Sequence, residues 1–260
     1  MPDGARRLPS RGLRRLARRA SIGLCLLIPG QALAEPAGIV LDAVFAEPTT
    51  RYPHGVLGDD EEWGALRLTV SSGAQGAVRE VTLRLPATRV FEDLAPRLAD
   101  LDFDGAPEVV VVESDAAKGA RLSIYGAGGL VAATPFIGRP FRWLAPLGAA
   151  DLDGDGAVEL AYIDRPHLAK TLRVWRYADA TLTEIASAPG LTNHRIGEGF
   201  ISGGIRACGQ VPEIITTDAG WRNIVATRLE GGQLHSAVVG PFDGPQSFAA
   251  ALTCEGTSSR

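Results

Sequence analysis

The segment Asp100-Leu101-Asp102-Phe103-Asp104-Gly105-Ala106-Pro107-Glu108 runs straight into the apolar stretch 109–112. Fifty-one residues later Asp151-Leu152-Asp153-Gly154-Asp155-Gly156-Ala157-Val158-Glu159 runs into 160–163 in the same register. Four carboxylates within nine residues repel one another unless something positive sits among them. Acids at alternating positions, closed by a glycine that lets the backbone turn sharply, suit a hard oxygen-seeking cation such as Ca²⁺. Side chains at positions one, three, five and nine, with the carbonyl at position seven, form the expected ligand set. This assigns Asp100, Asp102, Asp104, Ala106 and Glu108 to one site, and Asp151, Asp153, Asp155, Ala157 and Glu159 to a second, for up to two structural calcium ions. An EF-hand would need an acid at position twelve between two helices, but Val111 and Tyr162 stand there, in strand-forming runs. Calcium should therefore raise the melting temperature, and Asp151→Ala or Asp153→Ala should remove most of that gain.

The repetition extends well past the acidic loops. Residues 94–99 lead into the first loop, followed by strand-like runs at 108–112, 121–125 and 130–134; residues 143–150 lead into the second, followed by 159–163, 171–175 and 182–185. Leu122 then matches Leu172, and Tyr125 matches Trp175. A third copy, 200–207 leading to Glu213, keeps the strand pattern at 214–217, 223–228 and 233–239 but has lost the acids. Residues 247–253 repeat the leading strand alone. A unit of about fifty residues and four strands is the pattern of a β-propeller blade, which buries its faces only against neighbours. Leading strands near 55–58, 94–99, 143–150, 200–207 and 247–253 predict an all-β propeller of about five blades, with four as the competitor. The N-terminal run 38–45 is expected to close the ring by completing the last blade. The abundance of turn formers, 31 Gly and 17 Pro, fits many short strands.

These residues resemble the FG-GAP or VCBS repeats of the integrin α-chain propeller and of many exported bacterial proteins. In that family the Asp-x-Asp-x-Asp-Gly-x-x-acid loop holds Ca²⁺ between the first and second strands of a blade. The resemblance is strong over 100–112 and 151–163. Phe103 stands where a small residue is usual, and the other units lack the loop. The family has no single activity.

Seven arginines, Arg6 to Arg19, precede the apolar run 22–29, and Ala32-Leu33-Ala34 supplies the small residues of a cleavage site, so residues 1–34 read as a secretory signal peptide and 35–260 as one domain. Its removal would take the net charge from −4 to −10. An acidic mature protein is a poor partner for nucleic acid or an anionic membrane. No apolar run reaches the roughly 18 to 20 residues needed to span a bilayer. Cys208 and Cys254, the two cysteines left after cleavage, sit at equivalent places in adjacent units and are expected to form a disulfide in the periplasm or outside the cell.

Loops opposite the calcium side of such a fold collect His54, Arg142, Trp143, Arg165, His167, His194 and Arg195 as candidate ligand-binding residues. No nucleophile elbow, His-Glu-x-x-His or phosphate-binding glycine loop is present. Glu61 and Glu62 are adjacent, so on a strand they point to opposite faces and cannot act as a glycosidase pair. Two function classes follow. One is a non-catalytic, monomeric exported module that binds an envelope or extracellular protein, peptide or glycan. The other is an exported hydrolase or lyase using the histidine-bearing face; His54, His167 and His194 converging with a carboxylate would favour it.

Overall fold

The computed structural model describes residues 38–72 and 76–254; the expected signal peptide lies outside the described residues. Strands account for nearly all of the regular secondary structure among the described residues. It runs β1 (Ile39–Thr49), β2 (Glu62–Ser71), β3 (Val78–Arg84), β4 (Arg89–Phe91), β5 (Arg97–Ala99), β6 (Glu108–Asp115), β7 (Gly119–Gly126), β8 (Gly129–Ala133) and β9 (Leu144–Ala150). It continues as β10 (Val158–Asp164), β11 (Thr171–Ala178), β12 (Thr181–Pro189), β13 (Leu191–Thr192), β14 (Gly204–Arg206), β15 (Glu213–Asp218), β16 (Asn223–Glu230) and β17 (Gln233–Pro241), ending in a short helix, α1 (Pro245–Leu252).

The repeats become three antiparallel sheets. The second is the simplest, β9-β10-β11-β12 in sequence order. In the first, β6, β7 and β8 follow in order, while β4 and β5 share β6 as partner, β5 along its start and β4 along its end. The third repeats that arrangement: β13 and β14 share β15, and β16 and β17 follow. The leading strand is thus continuous in the second sheet and broken in the first and third by segments 92–96 and 193–203.

Burial explains why the sequence of each second strand lacks a polar side. Residues of β6, β10 and β15 alternate between two cores, so both faces must be apolar. Val109 and Val111 pack towards β2 with Leu66, Leu68 and Val70, whereas Val110 and Val112 face the second sheet with Leu160 and Tyr162. Ala161 and Ile163 face the third sheet with Ile214 and Val225, and Ile215 points onward to Phe248 of α1. The outermost strands β12 and β17 are largely exposed.

Three expectations need correction. Residues 247–253 are not a leading strand but most of α1. Pro245 in the first turn has the φ a helix needs and lacks only an N–H that would be unpaired there, and Ala249, Ala250 and Ala251 are strong helix formers. The helix lays Phe248 against Ile215, Ile224 and Ala226, covering the face on which another sheet would stack. Residues 55–58 form a loop, whose Val56 nonetheless enters the core between the first and second sheets. Residues 38–45 do not pair with a C-terminal strand: β1 pairs with β2 from Ile39↔Ser71 to Thr49↔Glu62. Among the described residues the sheets are therefore open rather than joined by that strand into a ring.

The expected disulfide is present, linking Cys208 to Cys254 with Cα atoms 5.7 Å apart. It ties the loop before β15 to the residue just beyond α1, where the Arg206 guanidinium also donates to the Ala251 carbonyl at 2.9 Å. No helix among the described residues is long and apolar enough to cross a membrane.

Candidate functional site

Each acidic loop joins the first and second strands of its repeat unit, β5 to β6 and β9 to β10, as expected. Ligand atoms of Asp100, Asp102 and Glu108 lie within 4.8 Å of one another, as do those of Asp151, Asp153 and Glu159, so each trio could hold a metal ion. The acid at position nine starts the next strand but folds back. Glu108 accepts from the Leu101 amide at 3.0 Å, and Glu159 from the Leu152 amide at 2.9 Å. Gly105 and Gly156, at φ 85 and 89, supply the left-handed turn, and Asp104 and Asp155 hold the amides of Ala106 and Ala157 at 2.7 and 2.9 Å. Phe103 adopts φ 59 where the second loop has Gly154.

The two loops differ in what already neutralises them. In the second, Arg176 of β11 stands directly across from Glu159. Its guanidinium reaches Glu159 Oε1 at 2.7 Å, Asp153 Oδ2 at 2.8 Å and Asp155 Oδ2 at 2.9 Å. Asp151 is spent on the amides of Gly154, Asp155 and Gly156. In the first loop, the register that pairs Val109 with Tyr125 puts Gly126 opposite Glu108, and among the described residues no guanidinium is paired with its acids. Each loop nonetheless keeps one buried carboxylate oxygen without a hydrogen-bond partner, Asp100 Oδ1 in the first and Asp153 Oδ1 in the second, as an oxygen awaiting a cation would be. In the third sheet, where the aspartates are gone, Arg228 takes the same cross-strand place and, with Arg206, grips Glu213 at 2.6 to 2.8 Å. Burial raises the carboxyl pKa values of both Glu108 and Glu159, in Glu159 against the opposing pull of Arg176. Glu213 is buried too, yet its two arginines hold it below the usual carboxylate range.

At the other ends of the strands the β8–β9 and β10–β11 connections meet the 52–60 and 193–203 segments around a cavity of about 200 Å³. His54, Arg142, Trp143, Arg165 and His167 line it, together with Phe141, Pro166, Leu168 and Ile196. Five of the seven ligand-binding candidates thus come together. His194 lies buried just behind, its ring 4.9 Å from that of Trp143. Arg195 does not join them: its guanidinium sits 4.2 Å over the Trp221 ring and 5.3 Å from that of Phe242. The 52–60 segment reaches the mouth through contact with the 193–203 excursion, where Gly197 donates to the Val56 carbonyl at 3.2 Å. Gly58, at φ 95, passes so close that a Cβ would lie 2.8 Å from the Gly197 oxygen.

Hydrogen bonds fix the protons at this mouth. The Glu198 carbonyl can only accept, so His194 carries its proton on Nε2 and its Nδ1 accepts from His167 Nε2 at 2.9 Å. Burial, then charge on His194, His54 and Lys170, pushes His167 down to about 4, and burial lowers His194 as well. His54 is bonded through Nδ1 to Glu92, a fully buried carboxylate that also accepts from the Ser114 hydroxyl. Arg165 is spent on both oxygens of Asp164, at 2.8 and 2.9 Å. Glu92 was not legible in the sequence, because it follows Val90-Phe91 in a stretch with no distinctive spacing. Glu62 is also buried, in contrast to Glu61, and desolvation together with Glu92, Asp59 and Asp93 raises its pKa to about 9.

No curated protein matches the chain. The model of the FG-GAP-like repeat matches residues 100–162, from the first aspartate of one acidic loop to the strand that follows the other. On that match, and on the two equivalent metal-competent loops inside it, this is a protein that carries an FG-GAP-like repeat.

Proposed function

We propose that the chain is an exported, propeller-type binding module, stiffened by calcium on one side and presenting a ligand mouth on the other. The observation that carries this reading is the division of labour between strand ends. Carboxylates cluster in the loops that open the second strands, and a cavity walled by five separate side chains of the predicted set lies at the connections that close them. The expected donors are all oxygen, carboxylates with one backbone carbonyl in each loop, which suits Ca²⁺ better than Mg²⁺. The disulfide suits an oxidising compartment such as the periplasm or the exterior. The strand units of the repeat stack face to face as blades would, with apolar cores between the first and second and the second and third sheets.

The decisive measurement is a melting curve of the mature protein in excess calcium and in chelator. Calcium should raise the melting temperature, and Asp100→Ala should cancel more of the gain than Asp151→Ala, because Arg176 already serves the second loop. Identical curves with and without calcium would rule the reading out. Pull-down from envelope extract, with and without calcium, then identifies the partner.

A second reading has its own support. His54 held through Nδ1 by buried Glu92 is oriented as a general base would be, with Nε2 left for the mouth. A hydrolase of this type would use His54 to take a proton from an attacking water, and a lyase would use it to take a proton from the substrate as the leaving group departs. Its activity should vanish in His54→Gln without a fall in melting temperature large enough to explain the loss.

A further inference from the structure

The mouth is more selective than a generic surface pocket, because nearly all of its charge is cancelled internally. Arg165 is held bidentately by Asp164. His54 is paired with Glu92, and His167 and His194 share one hydrogen bond whose proton order the Glu198 carbonyl sets. Arg142 is different. Its one hydrogen bond goes to the Phe141 carbonyl at 2.8 Å, and among the described residues it has no carboxylate partner. The cavity therefore offers one uncompensated positive charge. The remaining wall is carbon: Phe141, Trp143, Pro166, Leu168 and Ile196. Of these, Phe141, Leu168 and Ile196 are 43%, 65% and 73% exposed, though they come from three separate connections.

We infer that the mouth binds a small apolar monocarboxylate, with Arg142 meeting the acid group and Phe141, Trp143, Leu168 and Ile196 enclosing one apolar group of side-chain size. One free guanidinium matches one negative charge, and its planar fork matches a carboxylate. A dianion would bring a second charge with no free cation to meet it, since Arg165 and His54 are already paired with Asp164 and Glu92. A sugar would leave most of its hydroxyls against carbon, unpaired. A transition metal has no seat, since among the described residues the acidic loops are the groups in which three His, Cys or acid ligands converge. The volume of about 200 Å³ falls below the roughly 300 to 1,000 Å³ of pockets for drug-sized ligands and suits a single residue-sized acid. Two sources share this chemistry, a free aromatic or aliphatic acid and the C-terminal residue of a peptide.

This assignment rests on the binding-module reading, and one set of titrations separates the two. Trp143 fluorescence and calorimetry are followed on addition of 3-phenylpropionate, of 3-phenylpropionamide, and of a pentapeptide ending in Phe with its C-terminus free or amidated. The free acids should bind saturably and the amides about tenfold or more weaker. Arg142→Gln should abolish the difference, and Leu168→Asp should weaken both acids. Each variant is first shown to melt like the parent in calcium. If the small acid and the free peptide both bind, the pocket reads the acid itself; if only the peptide does, its source is a chain terminus. Equal binding of acid and amide, an Arg142→Gln variant of parental affinity, or no binding by any probe overturns the assignment. Calcium stabilisation retained in that event leaves the binding-module reading standing; its loss removes both.

Discussion

Arg176 shows how a single side chain can change the chemistry of a repeated loop. Its three contacts to Asp153, Asp155 and Glu159 supply in place the positive charge that the first loop lacks opposite Gly126. Replacing it with Met leaves three acids around a half-buried space. Arg176→Met is therefore expected to melt lower than the parent in chelator and to recover most of the difference in calcium; differential scanning calorimetry in both buffers checks this. Glu62 makes a prediction of opposite sign. Burial, followed by Glu92, Asp59 and Asp93, raises its pKa to about 9. An acid whose folded pKa exceeds its unfolded value costs nothing while both states are protonated and becomes progressively destabilising as pH rises from about 4.5 to about 9. Glu62→Gln should thus stabilise the protein by about 1 to 3 kcal/mol at pH 7 and by almost nothing at pH 4, read as denaturant midpoints at the two pH values. His167 runs the other way. Its pKa is depressed to about 4, so stability present above pH 6.5 drains away as pH falls towards 4.

At the scale of elements, the second strands carry the fold because each serves two cores. Ile163 of β10 is fully buried between the second and third sheets, and shaving it to Ala should cost about 2 to 5 kcal/mol by urea unfolding. A comparable apolar position on exposed β17, Val238, should cost far less. Helix α1 ends the stack of sheets by covering one face of the third with Phe248, and the Cys208–Cys254 bond holds that helix to the loop before β15. The bridge closes a loop of 46 residues, so its reduction, or Cys208→Ser with Cys254→Ser, should lower stability by roughly 2 to 4 kcal/mol. A variant pair with unchanged unfolding would show that Phe248 packing and the Arg206 contact suffice to dock α1.

For the molecule as a whole, the repeat was legible in the residues, since two copies of nine positions in the same register leave little freedom about where strands begin. β6, β10 and β15 each start at or beside the acid that closes the loop, at Glu108, Glu159 and Glu213. The disulfide was legible because Cys208 and Cys254 are the two cysteines left after the expected signal peptide; the matching of adjacent units that also suggested the pair does not hold, since Cys254 follows α1 and not a strand. What misled was treating 247–253 as one more copy. The pattern Ser-Phe-Ala-Ala-Ala-Leu-Thr is apolar enough for a leading strand, but Pro245 and the alanines favour helix, and the vacant face of the third sheet rewards one amphipathic turn as well as it would a strand. The sequence by itself determined the ligand chemistry of the acidic loops, the period and the strand class, all of which depend on residues close in the chain. Only the tertiary structure decided that Arg176 neutralises one loop and Gly126 leaves the other bare, that Glu92 backs His54, and that Arg142 stands unpaired in an apolar mouth. Those facts are charge balances between segments 38 or more residues apart, or between facing strands whose register must exist before the partners are known, and no local pattern encodes them.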